Sequence, residues 1–274
     1  MSYGEYIWDN SASAYFRFEN KWHYYSRVAE GLVGPLRIDR DSRVLELAGG
    51  TGACTLLLSK ICVSGQVVCV ERSRAMLKLA RRNLRRTGRS NVVFLEGDMS
   101  GLPELVRGIG KFDTIVCNAA FWQFAEKDRL LAALRSLLMP RGFLAFNLPL
   151  WGGRDKDLAA RRSVMTRVMV ANGIDPKRLF GTRTKVSYEK LLDRAGFEVS
   201  RDSRYSVTMM PDERKEWKRI PVFTRRWGQL GGVPPGVAAE MRRELVKLKV
   251  PLWPENKSQR NMWRLIVARA RLNT

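Results

Sequence analysis

Histidine and cysteine are both scarce in this chain, which has one histidine and four cysteines among 274 residues. The cysteines are Cys54, Cys62, Cys69 and Cys117, and all lie in apolar stretches without the C-x-x-C spacing of zinc or redox sites. Cysteines in apolar segments are more often buried free thiols than metal ligands or partners in a disulfide. The sequence therefore predicts no metal site.

Long apolar runs are missing too. No stretch approaches the roughly 20 apolar residues that a membrane-spanning helix needs. The first residues, Met1-Ser2-Tyr3-Gly4-Glu5, lack the charged and then apolar pattern of a signal peptide. We therefore expect a cytoplasmic protein without a membrane span, and 45% hydrophobic residues suffice for a core.

Acidic residues are few: the chain has 27 Asp and Glu residues and 49 Lys and Arg residues, which gives a net charge of +22. The excess is uneven: residues 1–40 have net charge 0, residues 41–150 have +7, and residues 151–274 have +15. Two explanations stay open. The arginines cover solvated faces, or they attract an acidic partner, either RNA or an anionic small molecule.

What the chain does contain is a short apolar strand that runs into three glycines. Val44-Leu45-Glu46-Leu47 precedes Ala48-Gly49-Gly50-Thr51-Gly52, and an apolar helix follows. Glycines let a backbone turn tightly and approach a ligand, whereas the methyl of Ala48 calls for a negative φ. Nineteen residues after Gly52, Glu71 ends a second apolar strand. A carboxylate at that position can accept both hydroxyls of a ribose.

The spacing Glu46-x-Ala48-x-Gly50-x-Gly52 resembles motif I of the class I S-adenosylmethionine-dependent methyltransferases, E/D-x-G-x-G-x-G. Four later segments resemble the family's motifs in the same order. They are the acid-x-S-x-x-M-L segment at 71–77, the strand ending in Gly97-Asp98, the F-D-x-I/V strand at 112–118, and the L-x-P-G-G-x-L turn at 138–144, with Arg141 where glycine is usual. The resemblance covers residues 42–150, and its Gly-Gly-Thr-Gly is similar to quinone-biosynthesis relatives. It implies S-adenosyl-L-methionine as cofactor.

The resemblance also implies a role for individual residues. Glu46 and the turn would hold the amino-acid end of the cofactor, Glu71 the ribose hydroxyls, and Asp98 and Met99 the adenine, while Asn118 would position the methionine moiety. The full cofactor set is Tyr15, Glu46, Ala48, Gly49, Gly50, Thr51, Gly52, Glu71, Arg72, Met76, Gly97, Asp98, Met99, Asn118 and Ala119.

The order of apolar runs predicts an α/β fold, a doubly wound Rossmann-like seven-stranded sheet with an antiparallel last strand, plus a helical lid and an N-terminal helical cover. Strands are expected near 43–48, 66–71, 91–96, 112–118, 142–148, 197–208 and 262–270, and helices near 23–36, 52–62, 74–87, 126–138, 155–172 and 187–195. The predicted organisation is an aromatic helical cover at 1–40, the cofactor-binding core at 41–209, an inserted helical lid at 210–260 and the final core strand at 261–274.

The acceptor side is aromatic. Asn118-Ala119-Ala120-Phe121-Trp122 resembles the S-N-A-A-x-x-W form of carboxylate O-methyltransferases of the trans-aconitate and acyl-carrier types. It is less similar to the N-P-P-Y/F of adenine N-methyltransferases, because alanines cannot supply the restraint of the prolines. The predicted acceptor pocket consists of Tyr24, Phe121, Trp122, Trp217, Phe223 and Trp227. His23 is a candidate general base, with a structural role as the alternative.

Together these features predict a methyltransferase that moves the sulfonium methyl in line to a small-molecule acceptor in a closed aromatic pocket. An anionic acceptor would suit the basic charge. Two alternatives remain: an RNA methyltransferase that uses the basic C-terminal half, and a non-catalytic partner subunit with the same fold. The sequence does not state whether oxygen, nitrogen, carbon or sulfur is methylated, nor the oligomeric state.

Overall fold

The computed structural model describes residues 3–150, 158–176, 187–223, 234–250 and 258–271. The chain divides into two compact units. Met1–Leu150, Ser187–Val207 and Asn261–Thr274 form the first, and Trp151–Val186 with Thr208–Arg260 form the second.

A seven-stranded sheet, in the order β3-β2-β1-β4-β5-β7-β6, is the centre of the first unit. The strands are β1 Arg43–Leu47, β2 Gln66–Glu71, β3 Val92–Glu96, β4 Phe112–Cys117, β5 Leu138–Leu150, β6 Phe197–Met209 and β7 Gln259–Ala270. The first five strands run parallel, and β7 runs antiparallel to β5. The predicted Rossmann-like sheet with an antiparallel last strand is confirmed. Its strand order reverses between β1 and β4, the place where open α/β sheets bind ligands.

Helices follow the strands at the predicted places, with ends that differ by a few residues. They are α1 Tyr3–Trp22, α2 Tyr24–Val33, α3 Ala53–Ile61, α4 Arg74–Arg85, α5 Leu102–Leu105, α6 Lys127–Leu137, α7 Leu158–Ala171, α8 Tyr188–Arg194, α9 Pro211–Arg219, α10 Pro221–Phe223 and α11 Pro235–Lys247. The short α5 is not among the sequence predictions. No helix in the described ranges combines the length and apolarity that crossing a membrane requires.

The sheet is buried because its central strands are apolar on both faces. Leu45 and Leu47 of β1 belong to one apolar cluster, whereas Val44, which precedes Leu45, belongs to another. Alternation of this kind is expected of a parallel strand covered by helices on both sides. All four cysteines are buried free thiols, as predicted.

Two backbone positions differ from expectation or from the usual family residue. Ala48 has φ 54°, so the expectation of a negative φ there was wrong. Arg141, which stands where glycine is usual, has φ 67°. A left-handed conformation costs a side-chain-bearing residue about 1–2 kcal/mol, so the turn around Ala48 and the strand β5 around Arg141 must hold these residues in place.

The second unit contains its own small core. Val164, Met165, Val168 and Met169 of α7 pack in one cluster with Ala238, Met241 and Leu245 of α11. Helices at the start and end of the predicted lid are present as α9 and α11. The lid itself and the domain limits stay predictions.

Candidate functional site

Two buried carboxylates flank the glycine turn after β1. Glu71, at the end of β2, is 7% exposed, and it accepts hydrogen bonds from the Gly50 amide at 2.9 Å and the Ser73 amide at 2.8 Å. Glu46 on β1 is 1% exposed and accepts a hydrogen bond from the Thr55 hydroxyl at 2.5 Å. Because the Glu71 carboxylate accepts a hydrogen bond from the Gly50 amide, it holds the turn against β2.

A cavity opens beside this turn, at the carboxyl ends of the central strands. Thirteen of the fifteen predicted cofactor residues line it: Tyr15, Glu46, Ala48, Gly49, Gly50, Thr51, Glu71, Arg72, Met76, Asp98, Met99, Asn118 and Ala119. Five segments that are far apart in sequence therefore meet at one place. The other two residues lie elsewhere. Gly52 is the N-cap residue just before α3, with φ 90°, and Gly97 makes room for Leu105, whose Cδ1 would be 2.3 Å from an added Cβ.

Aromatic rings from the N-terminal helices form one wall of the cavity. Tyr15 and Tyr25 stack with ring centroids 4.9 Å apart, and Trp8 meets Tyr15 edge-on at 6.3 Å. Burial raises the pKa of Tyr15 well above its ordinary value, and neighbouring Tyr25 and Glu19 act in the same direction. The Tyr15 phenol is therefore neutral at physiological pH.

The sequence did not single out every lining residue. Trp8, Tyr25, Ala53, Cys54, Ala120, Gln123 and Phe124 also line the cavity. The many aromatic residues among the first 25 indicated that this segment packs against other parts of the protein. Which rings face the cavity depends on the break between α1 and α2 at His23, where φ is 52°, and no sequence pattern sets that angle.

Tyr24, Phe121 and Trp122, which were predicted for the acceptor pocket, do not line this cavity. Tyr24 and Phe121 are buried, and Phe121 stacks on Phe146 at 4.0 Å within the main core. Trp122 lies 6.1 Å from Trp263 and packs against the same core. The apolar residues that follow β4 therefore divide between the hydrophobic core and the cavity lining.

The remaining predicted residues lie in three other places. Trp217 and Phe223 stack on one another at 4.1 Å within the second unit. Trp227 falls outside the described residues. His23 is exposed at the junction of α1 and α2 and does not line the cavity.

Glu46 gives the ligand-free protein a testable dependence on pH. Burial raises its pKa to about 7, although hydrogen bonds from Thr55, Cys54 and Cys69 act in the opposite direction. Because the folded-state pKa exceeds the unfolded value, the folded state holds the proton more tightly. Stability is then full below the unfolded pKa and is lost as the pH rises through 7.

We expect the free energy of unfolding of the wild type, relative to Glu46→Gln, to fall by about 3 kcal/mol between pH 4 and 8. Urea unfolding of both proteins across that range measures the difference. Burial also raises the pKa of Glu71, and this burial effect is common to both proteins; only the repulsion between Glu46 and Glu71 is lost with Glu46→Gln. Parallel stability curves for the two proteins would contradict the assignment.

The fold and the carboxylate-flanked turn define a Rossmann-like protein with a site for a nucleoside-containing ligand. Comparisons with known proteins agree. A family model described as a methyltransferase domain matches residues 38–178, which is more than half of the chain. The chain therefore belongs to the class I S-adenosylmethionine-dependent methyltransferases, and its methyl donor is S-adenosyl-L-methionine.

Individual relatives differ in how much they share. The chain is 29% identical over 208 residues to a malonyl-[acyl-carrier protein] O-methyltransferase of Geobacter sulfurreducens, covering 75% of this chain and 72% of that protein. It is 33% identical over 116 residues to the ubiquinone/menaquinone biosynthesis C-methyltransferase UbiE of Wigglesworthia glossinidia brevipalpis, covering 40% of this chain and 45% of that protein. Less than half of the second relative is thus represented.

A solved structure supports the fold. The crystal structure of a SAM-dependent methyltransferase from Geobacter sulfurreducens in complex with S-adenosyl-L-homocysteine superimposes with a TM-score of 0.52 at 18% identity, covering 89% of this chain and 91% of that chain. At this identity the likeness extends to the fold alone.

Proposed function

We propose that the protein transfers the methyl group of S-adenosylmethionine, in line, to a small anionic acceptor inside the cavity, and that the acceptor group is a carboxylate. The observation that carries the proposal is the composition of the cavity wall. One part is lined by the buried carboxylates Glu46 and Glu71, and another by Trp8, Tyr15 and Tyr25.

The carboxylate side suits the cofactor's polar groups. Glu71 would accept the ribose hydroxyls, and Glu46 would pair with the ammonium of the methionine moiety. A cation beside Glu46 favours its ionised form and so counteracts the burial that raises its pKa. Asp98 and Met99 would flank the adenine, with Arg72 close to Asp98 at 3.7 Å.

The aromatic side suits the sulfonium. A cation over the face of a tyrosine or tryptophan is stabilised by about 0.5–2 kcal/mol, with the larger values in desolvated sites. The stacked pair of Tyr15 and Tyr25 offers such a face, and the neutral Tyr15 phenol adds no negative charge that would pair with the sulfonium. The methyl group then keeps its electrophilic character as it is presented to the acceptor.

The acceptor's chemistry follows from the groups available to it. The described lining residues include neither histidine nor lysine, the Tyr15 phenol is a poor base because it resists ionisation, and the carboxylates Glu46, Glu71 and Asp98 are assigned to the cofactor in this proposal. Positioning alone can supply about 7–11 kcal/mol of barrier reduction, but only for an acceptor that is already nucleophilic. A carboxylate meets that condition at neutral pH. The similarity to an O-methyltransferase of malonyl-[acyl-carrier protein] points the same way.

The net charge of +22 would attract such an anion from solution. The same charge suits RNA, which is the competing acceptor, and an experiment can separate the two. Purified protein is incubated with cell extract and S-adenosylmethionine labelled in its methyl group. The products are then separated into small acids and their carrier-bound thioesters, other protein, and RNA.

We expect the label in the acid and thioester fraction, insensitive to nuclease, and absent when Glu71→Ala protein replaces the wild type. Nuclease-sensitive label that co-fractionates with RNA would overturn the proposed acceptor class. Because RNA binding weakens steeply with salt, repeating the reaction at two salt concentrations gives an independent check on the result.

A further inference from the structure

We infer that Asn147, which does not itself line the cavity, is a positioning residue for methyl transfer. Its side chain holds Asn118 and Ala119 in place and connects them to Tyr205 and the helix α2. The inference rests on the proposed transfer within the cavity, but the loop that Asn147 holds can be observed without any acceptor.

Asn147 is an unusual residue for its place. It occurs in the middle of β5, opposite Leu265 of β7, and is 0% exposed. A buried amide without partners is costly, so a polar group here needs a reason. The Asn147 Oδ1 atom accepts a hydrogen bond from the Ala119 amide at 2.6 Å, and Nδ2 donates to the Asn118 Oδ1 at 2.9 Å and to the Tyr205 hydroxyl at 2.7 Å.

The backbone groups at the edges of this network determine which atom donates and which accepts in each hydrogen bond. The Tyr205 hydroxyl donates to the carbonyl oxygen of Val28 at 2.8 Å, so it can only accept from Asn147. The Ala119 amide can only donate, which assigns Oδ1 of Asn147 to it. Asn118 then accepts through Oδ1 and donates through Nδ2 to the Tyr25 carbonyl oxygen at 3.3 Å. No second arrangement of the Asn147 amide satisfies all these partners.

The network joins elements that meet at the cavity. Asn118, Ala119 and Tyr25 all line it, whereas Asn147 and Tyr205 do not. Ala119 has φ 54°, a left-handed conformation that costs a residue with a side chain about 1–2 kcal/mol. The short bond from its amide to Asn147 stabilises that conformation, which sets where the chain after β4 faces the cavity.

A glycine in α2 supports the same reading. Gly31 lies in the last turn of α2, before the C-cap residue Gly34. A Cβ at this position would be 2.1 Å from Cε2 of the Tyr205 ring. The missing side chain lets the ring lie against the helix and reach the Val28 carbonyl, so two positions on separate elements are adapted to one contact.

The experiment compares two variants. Asn147→Leu removes all three bonds of the Asn147 amide at similar volume, whereas Tyr205→Phe removes the bonds of the Tyr205 hydroxyl to Asn147 and to the Val28 carbonyl and keeps those of Asn147 to Asn118 and Ala119. Amide hydrogen exchange is followed in the segment 118–124 and in β1, with S-adenosylhomocysteine present. We expect exchange of segment 118–124 in Asn147→Leu to rise about tenfold with β1 unchanged, and a smaller rise in Tyr205→Phe.

Turnover and cofactor affinity are measured on the same proteins. We expect kcat with labelled extract acceptors to fall by up to about 100-fold in Asn147→Leu, because a displacement of about 1 Å between reacting groups can lower the rate by that factor. The affinity for S-adenosylhomocysteine should change little. Val67→Ala, a truncation in the core of β2 away from this network, serves as a matched control that lowers the melting temperature without lowering kcat.

Exchange that is unchanged in 118–124, or that rises equally in β1, would overturn the inference, as would a kcat loss no larger than that of Val67→Ala. If Asn147→Leu does not fold, Tyr205→Phe decides by the same criteria. A failure of the proposed acceptor class would appear in the product fractions and leave the exchange result intact, so the two failures are distinguishable.

Discussion

Glu71→Ala is expected to weaken binding of S-adenosylmethionine by about two to four orders of magnitude. Hydrogen bonds to a charged group contribute about 1.5–3 kcal/mol each, and the proposed role of Glu71 provides two of them to the ribose. Its carboxylate also accepts hydrogen bonds from the amides of Gly50 and Ser73, so the turn that would hold the methionine moiety loses one of its ties to β2 in the same variant.

Calorimetric titration with S-adenosylmethionine and S-adenosylhomocysteine measures the effect. The matched control is Glu96→Ala, because Glu96 lies directly beside Glu71 in the register of β3 on β2 but is exposed and outside the cavity. Its affinity should stay near that of the wild type. If a folded Glu71→Ala protein binds the cofactor as tightly as the wild type does, the cofactor site has been placed wrongly.

The second large effect is expected for Gly49→Ala. An added Cβ would be 2.3 Å from the Sγ atom of Cys69 and 3.3 Å from the carboxylate of Glu46. Overpacking of this kind costs about 1–3 kcal/mol, and here the strain falls on the turn itself. We expect a lower melting temperature together with a cofactor affinity reduced by at least about tenfold.

A second substitution tests the cause. Cys69→Ala removes the sulfur that the new methyl meets, so Gly49→Ala in that background should recover much of the lost affinity. Gly50→Ala is the comparison, because an added Cβ there meets nothing within 4 Å and the cost comes only from φ +57°. The explanation fails if Cys69→Ala gives no recovery.

The parts of this protein that were predictable from sequence are those set by local patterns. Val44, Leu45 and Leu47 identify a buried strand, the three glycines identify a turn, and Glu71 marks the end of the next strand. Since parallel strands present their carboxyl ends at one edge of a sheet, these segments were expected to meet, and the cavity lining agrees.

The rest depends on contacts between distant residues. Ala48 adopts a positive φ because the turn around it is fixed by Glu71, and not because of its own preference. Phe121 and Trp122 have the composition of a binding pocket but pack into the core. Tyr205 reaches α2 only because Gly31 leaves space for its ring, a relation between positions that no local pattern reveals.

The most direct test of the central claim is the chemical form of the transferred methyl group. Protein, extract and methyl-labelled S-adenosylmethionine are incubated, and the products are treated with mild base, which releases methanol from carboxyl methyl esters. We predict that volatile labelled methanol is recovered with the wild type and is lost with Glu71→Ala. Label that withstands base, or that is found in RNA, would contradict methyl transfer to a carboxylate in this cavity.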